Sequence, residues 1–173
     1  MIFPPPSKFV PAGNVLAARL SPTPPPFIRK KRYTGRRAEG VRYERKVHSA
    51  LLELLPDTYV PSPWLHFLAE GEERWRWCQP DGLIVNAERG IITCVEVKYS
   101  HTADAWWQIR KLYLPVLAAL FPADLWELQA VEVVKWFDPA VRFPEAIEMA
   151  SELDRPSRKF KVHIFRPGAI THE

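Results

Sequence analysis

Two acids and a lysine lie near one another in the middle of the chain: Asp81 in Gln79-Pro80-Asp81-Gly82, then Glu96 and Lys98 in Glu96-Val97-Lys98. Between them residues 86–90 have turn composition, and the residues from Ile91 onward are rich in β-branched types, a pattern that predicts a hairpin. If Asn86 pairs with Ile91, the same register sets Asp81 directly opposite Glu96. Opposed side chains in an antiparallel pair have Cβ atoms about 4.5–5.5 Å apart. Both carboxylates can then reach one hard cation at about 2.0–2.6 Å from each oxygen. A slip of one residue would send them to opposite faces, so register decides the chemistry. Neighbouring carboxylates repel, and a divalent cation in the gap is the simplest way to keep both ionised.

The strand carrying Glu96 and Lys98 is otherwise apolar on both faces, with Ile91, Ile92, Val95 and Val97, as in a strand covered on both sides. An acid and a base at its C-terminal end imply either a paired structural cluster or a cleft. A third acid, Glu44, falls on the apolar stripe of an upstream helix, three residues after Val41, three before Val47 and four before His48. An unpaired carboxylate there is costly, so Glu44 needs a metal site, a metal-bound water, or a nearby Arg or Lys.

Taken together, Gln79-Pro80-Asp81-Gly82, the strand-borne Glu96-Val97-Lys98 after a short turn, and the helical acid Glu44 resemble the signature of the PD-(D/E)XK nuclease superfamily. The resemblance covers roughly residues 36–121 and implies a restriction-endonuclease-like fold, a mixed sheet of about four strands with a helix on each side. It implies that Asp81, Glu96 and the main-chain carbonyl of Val97 hold Mg2+ or Mn2+, which would polarise a phosphate and acidify water. Lys98 would position that water or stabilise charge developing on the phosphate. Glu44 would serve a metal-held water or a second ion. The following helix carries Gln108 and Tyr113, similar to the Gln-plus-Tyr helix of the exonuclease-like branch, with a spacing one residue longer than that branch's pattern.

The expected activity is therefore magnesium-dependent hydrolysis of DNA phosphodiesters, with Asp81, Glu96, Lys98, Glu44 and Gln108 as the catalytic group. The alternative is a catalytically silent DNA-binding or protein-interaction module with the same fold. Trp106 and Trp107 are read either as core residues or as stacking surfaces for unpaired bases. Arg36, Arg37, Arg42, Lys46, His101, Arg110 and Tyr113 are the candidate nucleic-acid contacts. By analogy, a phage or mobile-element setting suits a small stand-alone nuclease.

The elements that must position these groups follow from periodicity. Residues 37–55 repeat apolar positions at three- and four-residue spacing and stop at Pro56, which predicts a helix. Strand patterns cover residues 64–68, 75–85, 91–99, 130–137 and 160–165. Helices are expected over residues 103–120, bent or interrupted near Pro115, and over residues 144–153. This order suggests an α/β fold with a mixed β-sheet of about four to five strands flanked by helices.

The chain has 173 residues, which suits one compact domain with an appendage. Prolines number 18 and concentrate early, so residues 1–35 read as a proline-rich N-terminal arm and residues 36–173 as the nuclease-like domain. No apolar run approaches the length of about 20 residues that a membrane helix needs, and residues 1–6 lack the plan of a signal peptide. The expected location is cytoplasmic, with no membrane partner and no small-molecule ligand; a homo-oligomer is left open. Cys78 and Cys94 have no metal-ligand spacing and are expected to be reduced core residues. A net charge of +4 and a pI of about 9.2 favour an anionic partner. The basic residues crowd the start of the first helix, at Arg29, Lys30, Lys31, Arg32, Arg36, Arg37, Arg42, Arg45 and Lys46.

Overall fold

The computed structural model describes residues 14–28, 32–100, 103–136 and 161–165. The expected helix over residues 144–153 and the candidate contact His101 lie outside the described residues.

A helix, α1 (Gly35–Leu54), begins after Thr34 and ends where Pro56 cannot continue it. It packs Val47, with Tyr43, Leu51 and Leu55, onto one face of a sheet. That sheet has five strands in the order β2 (Tyr59–Pro61), β5 (Gly82–Asn86), β6 (Ile91–Ser100), β7 (Glu127–Trp136) and β8 (Lys161–Phe165). The β5 strand runs antiparallel to both β2 and β6, whereas β6, β7 and β8 are mutually parallel. The fold is thus α/β, with a mixed sheet flanked by helices. A second sheet of three antiparallel strands, β1 (Val15–Ser21), β3 (Trp64–Ala69) and β4 (Arg76–Cys78), stands beside it.

The parallel step from β6 to β7 needs a crossover, and a helical segment supplies it. It runs as α2 (Ala103–Gln108), a π-helical turn at Ile109–Tyr113, and α3 (Leu114–Leu120). The interruption expected near Pro115 is therefore a wide turn just upstream of the proline, which has no N–H to give to the turn before it. Ile109, Tyr113, Leu114 and Leu117 cover the Ile92 and Cys94 face of β6, together with Leu65 and Phe67 of the small sheet. Val95 and Val97 turn the other way, toward Val47 and Tyr59. The β6 strand is thus covered on both faces, as its apolar run requires. Cys78 and Cys94 are free and buried.

Two boundaries differ from the sequence pattern. The arm drawn through residue 35 contains β1, which pairs along its length with β3, so residues 15–21 belong to the folded body. The strand expected over residues 75–85 is two strands in different sheets, because Pro80 cannot donate to a ladder and the chain crosses between sheets there. No helix among the described residues is long and apolar enough to cross a membrane.

Candidate active site

The hairpin holds the register on which the chemistry depends. Asn86 faces Ile91 and Gly82 faces Val95. Gly90 takes φ +61, a left-handed conformation open to glycine, and so closes the turn. Asp81 sits one residue before β5, and continuing the ladder one step past Gly82 and Val95 sets it opposite Glu96. One Asp81 oxygen accepts the Val97 N–H at 2.6 Å, where β5 has stopped and that donor would otherwise lack a ladder partner. The N–H and C=O of a strand residue point to the same neighbour. The Val97 carbonyl therefore faces the same gap as Asp81.

The loop bearing Asp81 is clasped from several directions. Ser62 donates its N–H to the Asp81 carbonyl at 2.8 Å, and its own carbonyl accepts from Gln79 Nε2 at 2.8 Å. Ser62 does this from a left-handed backbone conformation, φ +46, which costs a non-glycine residue energy and so marks a constrained spot. Tyr113 donates its phenol to the Gln79 carbonyl at 3.0 Å. Gly82 is needed because a Cβ there would lie 2.5 Å from the Tyr59 ring.

Glu96 is 2 % exposed. Its Oε1 accepts from Lys98 Nζ at 2.5 Å, and its buried Oε2 has no hydrogen-bond partner among the described residues. Lys98 also donates to Gln108 Oε1 at 3.1 Å. Burial, followed by the charge of Asp81, raises Glu96 above the ordinary carboxylate range. Burial likewise raises Asp81, against the lowering effect of the Val97 N–H. Burial alone would lower the Lys98 ammonium, but the Glu96 carboxylate outweighs it and holds Lys98 above its usual value.

The π-turn explains the long Gln108–Tyr113 interval. A π-helix closes on the fifth residue where an α-helix closes on the fourth, so one extra residue is absorbed and both side chains face the hairpin. Gln108 meets Lys98 and Tyr113 meets the Gln79 carbonyl.

Not every candidate gathers there. Glu44 pairs with His48 at 3.4 Å, and His48 Nδ1 lies 2.6 Å from the Tyr59 hydroxyl. The side-chain partner of Glu44 is thus a histidine and not the arginine or lysine expected, although Glu44 is near enough to Asp81 to help raise it. Arg110 and Tyr113 need correction as nucleic-acid contacts: at 1 % and 5 % exposure they lie in the interior, where a phosphate backbone does not reach. Trp107 is buried. Arg36, Arg37, Arg42 and Lys46 are all exposed on α1. At 3.6 residues per turn, Arg37, Glu44 and His48 share one line of the helix, whereas Arg42 and Lys46 lie on the side opposite that line.

Glu132 escaped the sequence reading. It faces Glu96 across the β6–β7 pair, is 1 % exposed and helps raise Glu96. Its signal was the same as that of Glu96, an acid inside an apolar strand, Val131-Glu132-Val133-Val134.

Whether these residues suit a divalent cation turns on the oxygens they leave open. Asp81 keeps one oxygen beyond its main-chain bond, and Glu96 Oε2 is unspent and buried. Among the described residues no cluster of three or more His, Cys, Asp or Glu side chains forms a ready-made cage. Two carboxylates and a carbonyl fit an ion such as Mg2+, which keeps several waters and uses few protein ligands. No family model, curated protein or solved structure gives a significant match to this chain.

Proposed function

We propose that the protein is a metal-dependent deoxyribonuclease of the PD-(D/E)XK type. The observation that carries this reading is the convergence of Asp81, Glu96 and Lys98 at the end of one hairpin, in the register the signature requires, with Gln108 delivered to Lys98 by the crossover helix. Asp81, Glu96 and the Val97 carbonyl would hold Mg2+ or Mn2+, which would supply Lewis acidity toward a phosphate.

The remaining steps belong to side chains. Glu96 would give its unspent Oε2 to the cation, while its Oε1 anchors Lys98. The Lys98 side chain is 24 % exposed, so its ammonium can meet a phosphate oxygen entering from solvent and stabilise developing negative charge. Gln108 limits the swing of Lys98 by accepting from the same ammonium. Glu44, with His48, forms an outer acid–base pair beside Asp81. The exposed Arg36 and Arg37, at the start of the same helix, offer phosphate contacts that position the backbone.

The test is cleavage of supercoiled plasmid, linear duplex, single strand and branched junction with magnesium, manganese or chelator. Metal-dependent cleavage, lost in Asp81→Asn and Lys98→Ala, is expected; cleavage retained by both variants rejects the assignment. A second reading, a silent DNA-binding module, is favoured by the burial of Glu96 against Lys98. Binding without metal-dependent nicking of any substrate would support it.

A further inference from the structure

The small sheet buries Leu65, Phe67, Ala69 and Cys78 on one face. Strand alternation sends Trp64, His66 and Trp77 to the other. On that outer face His66 stands between Arg19 of β1 and Trp77 of β4, its direct cross-strand neighbours. The His66 and Trp77 rings stack with centroids 4.1 Å apart and planes 14° apart. Trp75 tilts against His66 at 4.8 Å, and Trp64 meets Trp77 edge-on at 6.4 Å. The Arg19 guanidinium lies 4.6 Å over the Trp75 ring and donates to His66 Nδ1 at 3.2 Å.

These aromatics belong to neither hydrophobic cluster among the described residues. Trp75 is 36 % exposed, and Trp64, His66 and Trp77 are partly exposed. An aromatic patch facing solvent marks a binding surface more often than a structural one. The cation set among the rings is basic, while Glu70 and Glu72 at the hairpin end are engaged by Asn14 and Arg76. Rings with a guanidinium among them match a ligand of flat faces and negative charge, which is the chemistry of an unpaired nucleotide.

The chain ties this face to the candidate active site. Trp77 lies four residues before Asp81, so their Cα atoms are within about 14 Å of each other at full extension. Trp64 lies two residues after Ser62, whose N–H donates to the Asp81 carbonyl.

We propose that the outer face of the β1-β3-β4 sheet is a stacking platform for unpaired bases of single-stranded DNA, leading the strand toward the Asp81–Glu96 pair. The direction of feeding rests on the nuclease reading; the binding does not. Duplex DNA hides its base faces, so the platform discriminates between the two forms.

The full chain in chelator is titrated with oligodeoxythymidylate and, separately, with blunt duplex of equal length, following tryptophan fluorescence. Single strand quenches the signal and binds more tightly than duplex. Trp75→Ala and Trp77→Ala each weaken single-strand binding by about tenfold or more, and Trp77→Phe recovers most of it. Arg19→Glu weakens binding and flattens its salt dependence. Circular dichroism reports folding; if Trp77→Ala fails to fold, the more exposed Trp75→Ala and Arg19→Glu decide. Folded variants that bind as the wild type does, or duplex bound as tightly as single strand, overturn the proposal. So does a dimer that the tryptophan variants dissolve with oligonucleotide binding unchanged, which would give the face to a second copy. Platform-dependent binding by a protein that cuts nothing in magnesium leaves the platform standing and removes the nuclease reading; cleavage with no dependence of binding on the tryptophans does the reverse.

Discussion

Burial raises Asp81 to about 6, with Glu44 adding to it, and burial followed by the charge of Asp81 raises Glu96 to about 8, against ordinary values of 3.8 and 4.5. Below their ordinary values both are protonated in folded and unfolded chain alike. Between those values and the raised ones the unfolded chain has released protons that the folded chain still holds. Stability contributed by these protons is therefore full at low pH and is lost as pH climbs through the raised range. The metal-free protein is expected to lose melting temperature from about pH 5 to pH 8, and magnesium, which favours the ionised carboxylates, to restore it. Asp81→Asn should raise the stability of the metal-free protein at pH 8 by about 1–3 kcal/mol, measured by urea unfolding, and remove most of the magnesium effect. A flat pH profile would show that the two carboxylates are not buried as described. Gly82 is a second residue-scale case: the Cβ of Gly82→Ala meets the buried Tyr59 ring, at a cost of about 1–3 kcal/mol. Adding Tyr59→Val should recover much of that loss, which a double-mutant cycle measures.

At the scale of elements, the π-turn at Ile109–Tyr113 behaves as an inserted residue that the crossover has accommodated. Deleting Lys111 should convert it to continuous α-helix with Gln108 and the tyrosine still on one face. The melting temperature is expected to stay within about 5 °C of the wild type, whereas deleting Ala118 from α3 rotates the end of that helix against the sheet and should unfold the protein. Tyr113→Phe leaves the Gln79 carbonyl without its interior donor, at a cost of about 1–2 kcal/mol, and should slow cleavage by loosening the Asp81 loop. On α1, Arg37→Glu shares the line of Glu44 and His48, so it should weaken DNA binding more than Lys46→Glu on the far side; equal losses would mean that only overall charge matters.

For the whole molecule, the hairpin was legible because turn chemistry and strand alternation both act over a few residues. Asn86, Gly90 and the apolar run of β6 fix one register, and that register alone brings Asp81 to Glu96. The helix α1 was legible for the same reason, from Val47, Leu51 and the stop at Pro56. The features that were not legible depend on contacts made far along the chain. The β1 strand is a weak pattern among prolines and becomes a strand by pairing with β3. Arg110 reads as a surface cation, and only the packing of the crossover on the sheet buries it. The split at Pro80 and the π-turn both depend on which sheet or face is nearby, which no local window encodes.

The parallel pairing of β6 has a consequence for synthesis. During translation Asp81, Glu96 and Lys98 leave the ribosome before β7 begins at Glu127, so an apolar strand ten residues long waits with one open ladder. Until the crossover delivers its partner, that edge can recruit the same strand of a neighbouring nascent chain. Fragments ending between residues 100 and 126 should therefore be found in aggregates, and the full-length protein should gain yield from slower expression or a holding chaperone.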